Sequence, residues 1–405
     1  FGISLFGFHV PTLGIPITVD AADVVIGTAT LISVFMVSQI TRSYLAYGAV
    51  AFAIVVFLSG TVNTWSDPTF SPDRFLINYI RIGGIVAMVL LLPPLVNRIG
   101  YERLSVAMLW VLRVHAIIVL ADVATILPAS LSPSVTDLGR PTGLFREPSW
   151  YSVYVGLSLF VLIQIQSNVK RRIISPIDIA LIGAAIVATS SITGLILFGS
   201  SSLILVALAG RRAHFKLLGG IIIGGLVLVA TISAFPDSGI ASSMELLTRR
   251  VSILTPTNFS DDSGRERIIG SGNAILYIVD EAPLLGKGFG GSNTTRVESD
   301  FINRDLSEPE LLSFTSLPSN IAQTAGILGL LTFGFIVLVM LAMRSTRWIA
   351  VGIIIAGAGW GGAFESAFWW FIVLAISVST LRSDTASDID NWPTALQVSR
   401  IGVAS

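Results

Sequence analysis

Cysteine is absent from this 405-residue chain, which excludes disulfides, thiolate metal centres and a cysteine nucleophile. Its absence also suits a protein whose loops lie in an oxidising space. Charge is scarce: Asp, Glu, Lys and Arg make up 12% of the residues, against about 25% in an average soluble domain. The 25 basic and 25 acidic side chains cancel to a net charge of +0, so there is no electrostatic footprint for a nucleic acid. Histidine occurs at His9, His115 and His214 alone, too scattered for a metal site, and no H-E-x-x-H motif or serine–histidine pairing is found. Internal repeats and low-complexity stretches are lacking as well.

Hydrocarbon takes the place of charge. Hydrophobic residues make up 53% of the chain, and its mean hydropathy is +0.80. Apolar runs of about 17–25 residues recur along most of the length, and a bilayer core needs about 20. A β-barrel would instead show alternating segments of about ten residues. The pattern predicts an all-α polytopic membrane protein with about 11–12 transmembrane helices and one large extracytoplasmic loop containing short helices. Spans are expected near 22–40, 44–60, 75–97, 103–127, 149–168, 176–191, 193–210, 217–235, 318–343, 348–361 and 365–382. The first twenty residues read as the remnant of an earlier span or a helix on the membrane surface. They lack the charged n-region of a cleavable signal.

Arginine and lysine then set the topology. Arg42, Arg98 with Arg103, Lys170–Arg171–Arg172, Arg211 with Arg212 and Lys216, Arg344 with Arg347, and Arg382 fall in alternate short loops. The positive-inside rule makes those loops cytoplasmic. The domain expectation follows: residues 1–235 are N-terminal transmembrane helices, 236–317 a large periplasmic loop, 318–382 C-terminal transmembrane helices and 383–405 a cytoplasmic tail. An outer loop of that length is far beyond ordinary connections and points to function.

Polar chemistry concentrates in two places on the outer side. The stretch "GRPTGLFREPSWYS" holds Arg140, Arg146 and Glu147 just before a span that starts near Pro148. Proline suits the first helical position, and a helix N-terminus with two guanidiniums beside it suits a phosphate or diphosphate. The competing reading is that these arginines anchor to lipid headgroups. The second place is the large loop, with Arg249, Arg250, Arg265, Arg267 and Lys287. After Gly264, Ile268, Ile269, Leu276 and Val279 recur at helical spacing and predict an amphipathic helix lying on the membrane or on the other spans. Arg265 and Arg267 would fall in its first turn, where the helix dipole disfavours cations. Either a bound anion or the neighbouring Asp261, Asp262 and Glu266 must compensate. "GKGFGG" matches a dinucleotide fingerprint by letter, but no strand precedes it, and it reads as a tight glycine turn.

Within the spans, Arg113 lies roughly 15 Å deep at 1.5 Å per residue. A charge at that depth faces a polar cavity or a partner, and Asp122 is out of phase with it. Arg81 lies in the outer part of its span. Two readings stay open for these residues: a cavity opening outward, or pairing between helices.

Three segments resemble one family. "RPTGLFREPSWYSVYVGL" looks like the R-x-x-G-x-F-x-E-P-S/N element of bacterial O-antigen and exopolysaccharide polymerases. "SGRERIIGSGNAILYIVDEAPLLGKGFG" is similar to their loop element, and "LPSNIAQTAGILGLLTFGFIVLVML" to the span that follows it. The three occur in family order. The resemblance implies a multi-pass enzyme of the bacterial inner membrane with its active site facing the periplasm. Such a polymerase transfers a growing glycan from a polyprenyl-diphosphate carrier onto a lipid-linked repeat unit. Related O-antigen ligases transfer it onto lipid A–core instead, and a transporter or flippase of lipid-linked saccharide is a reading from a different class. Arg140 and Arg265 carry over as catalytic residues. Glu147 is the candidate general base, and Arg146, Arg267, Arg249, Arg250, Arg81, Arg113 and Asn320 are candidates for binding diphosphate or substrate. The family uses no cofactor and no metal. Its implied partners are the polyprenyl-diphosphate-linked oligosaccharide, membrane lipid, a chain-length regulator and a flippase. Two positions depart from the family: Ser319–Asn320 stands where the ligase pattern has a histidine beside the asparagine. Ser191–Ile192–Thr193–Gly194 lacks the arginine of a Ser-Arg-Thr-Gly element.

Overall fold

The computed structural model describes residues 9–10, 19–20, 27–28, 30–32, 35, 40–66, 72–123, 145, 148–208, 219, 270–288, 314–360 and 366–380. Among them the helices run α1 Tyr44–Ser66, α2 Pro72–Ile99, α3 Tyr101–Val123, α4 Pro148–Val169, α5 Pro176–Ala188, α6 Ile192–Leu208, α7 Ser271–Glu281, α8 Leu317–Ala342, α9 Arg347–Gly359 and α10 Ser366–Thr380. Nine of the predicted spans fall on these helices, while those near 22–40 and 217–235 lie largely outside the described residues. Near the start, His9–Val10 pairs antiparallel with Val19–Asp20, so these four residues are extended, where the sequence suggested a helix or part of a span. Five described helices are long and apolar enough to cross a membrane: α1, the Ile82–Ile99 part of α2, α3, α4 and α8. The protein is an all-α, multi-pass membrane protein.

Local rules account for the irregular points. Pro94 lies inside α2 and has no N–H to give the carbonyl four residues back. That carbonyl, Leu90 O, accepts instead from Thr41 N at 3.0 Å. α5 opens with a capping box, in which Ser175 Oγ accepts from Asp178 N and Asp178 Oδ2 accepts from Ser175 N at 3.0 Å, with Pro176 behind it. It ends earlier than the expected residue 191, because Ser190 turns the chain at φ 51°.

α4 is the central post: Leu157 and Leu159 to Ile163 are fully buried, with α6 and α9 against it and α3 and α10 also touching. α8 packs on α1, α7 and α9, and α10 on α2. Close approach relies on small residues, as expected where lipid offers no hydrophobic drive between helices. A methyl on Gly352 would lie 2.7 Å from the Phe160 ring.

Contacts sort the helix ends into two groups. Gln164 near the end of α4 donates to Arg344 O at 3.0 Å and accepts from Trp348 N at 3.0 Å. Arg171 pairs with Glu102 at 2.8 Å, and Tyr101 Oη donates to Val378 O at 2.9 Å. These contacts gather Arg103, Lys170–Arg172, Arg344 and Arg347 at one end, the basic end. The same alternation was read from the loops. The start of α4, the α5–α6 turn, the start of α8 and the end of α9 meet at the opposite end.

Arg113 pairs between helices. Its Nε donates to Asp178 Oδ1 at 2.6 Å and its Nη2 to Oδ2 at 3.2 Å, with the guanidinium 5.2 Å from the Trp110 ring. Asp178 is 2% exposed, so one carboxylate both caps α5 and neutralises the cation on α3. Replacing Asp178 with alanine should cost about 2–4 kcal/mol, the cap together with a cation left unpaired. Adding Arg113→Met should return part of that loss. Thermal unfolding in detergent measures both, and an unchanged midpoint for Asp178→Ala would remove the pair's structural role.

Candidate functional site

The opposite end is built around a broken helix. α8 begins on a capping box of Ser316 and Ser319, with Pro318 in its first turn, and continues to Ala342, but Gly326 interrupts it at φ 60°, ψ −155°. A break frees carbonyls and amides that must find partners elsewhere. The segment 283–288 satisfies them instead. Ile327 N donates to Pro283 O at 2.9 Å and Leu328 N to Leu284 O at 3.2 Å. The acceptors these amides would have used are taken up in turn: Gln323 O accepts from Lys287 N at 2.7 Å, and Thr324 O from Ser59 Oγ at 2.7 Å. Ser59 Oγ also lies against Leu285 O, and Asn63 Nδ2 donates to Ser59 O at 2.8 Å and Gly286 O at 3.1 Å. The chain from 283 to 287 is thus spliced into α8 and bolted to α1.

The splice explains the glycines of "GKGFGG". Gly286 and Gly288 have φ of 65° and 68°, a region that L side chains rarely adopt. A methyl on Gly286 would lie 2.6 Å from Ala322 O, Gln323 O and Gly326 N. This is the tight glycine turn that the sequence suggested, and its purpose is close backbone approach. Lys287 extends over Tyr277 of α7, with Nζ 5.1 Å from the ring and 3.3 Å from its hydroxyl. α7 itself packs on α8 with Ser271, Ala274 and Ile278 buried, not with Leu276, which is 64% exposed. The small Ala274 permits the close contact.

Beside this splice lies a buried polar turn. Ser152, one turn into α4, shares a hydrogen bond of 3.0 Å with Thr189, and Ser191 Oγ accepts from Gly194 N at 3.3 Å at the start of α6. Ser190 is fully buried. Gly359, closing α9, abuts Thr193, and a methyl on Gly357 would lie 3.0 Å from Leu317 at the start of α8. The starts of α4, α6 and α8 therefore meet at one end, each presenting the positive end of a helix dipole.

Phe145 fixes the approach to α4. It is 1% exposed, and its ring sits 5.2 Å from His115, 5.4 Å from Tyr151 and 5.7 Å from Tyr154. This aromatic cluster holds the chain immediately before Arg146 and Glu147.

Among the residues singled out by sequence, Asn320 lies in the first turn of α8, and its Oδ1 is buried without a hydrogen-bond partner among the described residues. Arg81 lies in α2. Arg113 is held by Asp178, nearer the basic end. Arg140, Arg146, Glu147, Arg249, Arg250, Arg265 and Arg267 lie outside the described residues. Sequence reasoning missed Ser59, Asn63, Asp178 and Phe145. The Ser59–Asn63 pair, four apart in an apolar helix, was a usable signal, as was the Ser175–Asp178 capping box.

Residues 177–334 match the model of the O-antigen ligase family, Wzy_C. The matched stretch runs from the first turn of α5 through the glycine turn and past the break in α8. This segment is that of the O-antigen ligase and polymerase superfamily. Members of the O-antigen ligase family are glycosyl-transferring enzymes that act on lipid-linked oligosaccharides. The match supports a function of the ligase or polymerase type and does not separate the two. No curated protein matches the chain.

Proposed function

We propose that the protein is a polysaccharide polymerase, forming O-antigen or exopolysaccharide. It transfers the growing glycan from a polyprenyl-diphosphate carrier to a lipid-linked repeat unit at the periplasmic face of the inner membrane. The observation that carries the reading is the superfamily segment across the glycine turn and broken helix, with Ser319 where the ligase pattern has histidine. The new bond joins an acceptor sugar oxygen to the anomeric carbon. The bond from that carbon to the diphosphate oxygen breaks, and the carrier diphosphate leaves. Stabilising that leaving group is the main catalytic task, and fixed positive charge performs it. Arg265 and Arg140, supported by Arg146, take the diphosphate, so the reaction needs no metal. Glu147 accepts the proton of the acceptor hydroxyl. Arg249, Arg250, Arg267 and Arg81 add positive field around the carrier, and Asn320 offers its free Oδ1 to a sugar hydroxyl. Arg113, already neutralised, serves the fold. A chain-length regulator and a flippase are the protein partners this chemistry calls for.

The ligase reading stays second, favoured by the name of the matching family. One experiment separates them: delete the gene, then run carrier-linked and cell-surface glycans on a gel. Single repeat units in both fractions are the expected result. Long chains that accumulate on the carrier and never reach their acceptor would identify a ligase and overturn the polymerase reading.

A further inference from the structure

α8 carries a stripe of exposed apolar side chains: Leu328 at 38%, Leu331 at 63%, Phe335 at 49% and Leu338 at 65%. Their spacing of three and four residues puts them on one face of a helix, the face a spanning helix gives to lipid. The stripe does not stop at the break. Leu284, 63% exposed, is joined to it through the bond from Leu328 N to Leu284 O, and Leu276 of α7 is exposed to the same degree.

Polarity changes at the same level. On one side of Gly326 stand Ser319, Asn320, Gln323 and Thr324, and on the other the run Ile327–Leu331. On α1, Ser59 and Asn63 bond to Thr324 and to the glycine turn at that level, while Val62 between them stays 49% exposed. The glycine turn is thus spliced in where α8 changes from apolar to polar. An exposed leucine joined to a lipid-facing stripe suits the boundary between headgroups and acyl chains, which favours apolar side chains.

We propose that the glycine turn and the exposed edge of α7 rest on the bilayer surface, with Leu276 and Leu284 inserted among phospholipids at the headgroup–acyl boundary. α7 is then held by protein on its Ala274–Ile278 face and by lipid on the other.

The absence of native cysteine makes the test direct. Leu276→Cys and Leu284→Cys, with Leu331→Cys as the reference within hydrocarbon, are spin-labelled in the full chain and reconstituted in phosphatidylethanolamine–phosphatidylglycerol vesicles. Collision rates with oxygen and with a water-soluble nickel chelate are then measured. Labels at 276 and 284 should collide more with oxygen than with nickel, at a shallower depth than the label at 331. Dominant nickel collisions would show a water-facing edge and overturn the proposal. Exclusion of both reagents would show cover by protein, either the rest of the chain or a second copy, and would overturn it equally. Because both leucines are exposed, the substitutions leave packing intact, and a wild-type unfolding midpoint for each labelled protein checks this. Depth is read without any glycan assay, so the result stands apart from the assigned transfer reaction.

Discussion

A Gly326→Ala variant is expected to lose about 3 kcal/mol or more of stability. With φ 60° and ψ −155°, the residue sits in a region of backbone space that is essentially glycine's alone. The added methyl has nowhere to go: it would lie 2.5 Å from Gly286 N and 2.6 Å from the Leu284 carbonyl. These neighbours are backbone, not the tip of a side chain, so relief requires the splice to open. Opening it strands Ile327 N, Leu328 N, Gln323 O and Thr324 O without the partners they hold in the fold. Against a total stability of about 5–15 kcal/mol, the variant should yield little folded protein, and what folds should unfold at lower temperature in detergent. Gly334→Ala is the control, since a methyl there meets open space. Equal unfolding midpoints for the two variants would remove the splice from the account of the fold.

The second large effect concerns chemistry. Arg265→Ala should lower glycan transfer by roughly 100-fold or more, the scale seen when a preorganised donor to a developing anion is removed. The protein should still insert and reach normal amounts. Arg265→Lys keeps the charge but loses the planar fork that grips two phosphate oxygens, so an intermediate activity is expected. Chain-length distributions on gels, together with the amount of protein in membranes, give both readouts. Wild-type chain lengths in Arg265→Ala would remove Arg265 from the diphosphate assignment.

Much of the scaffold was legible because bilayer physics acts on single segments. A run such as Tyr44–Asn63 announces a helix by its own composition, since hydrocarbon forces each segment to satisfy its backbone internally. The grouping of the helix ends was legible for a similar reason. Arg103, Lys170–Arg172, Arg344 and Arg347 mark their loops one by one, and the contacts of Gln164 and Tyr101 gather those loops at one end. The glycine turn could be read because φ above zero selects glycine wherever it occurs.

Partnership was not legible. Arg113 declared its need for a counter-charge, but nothing near it in sequence pointed to Asp178, sixty-five positions on. The packing face of α7 was left open for a related reason. Periodicity finds an apolar stripe that suits the membrane or the other spans, but Ala274 and Leu276 compete for burial against α8, and the distance of closest approach decides between them.

The sequence by itself determined that this chain is all-α, that it crosses a membrane several times, and which ends of its helices lie together. It also carried the superfamily segment. Only the tertiary structure decided that α8 breaks at Gly326, that residues 283–287 complete its hydrogen-bond ladder, and that Ser59 and Asn63 bolt them to α1. Composition and periodicity act within a segment. A broken helix is stable only when another segment supplies the missing partners, and which segment that is depends on how the whole chain packs.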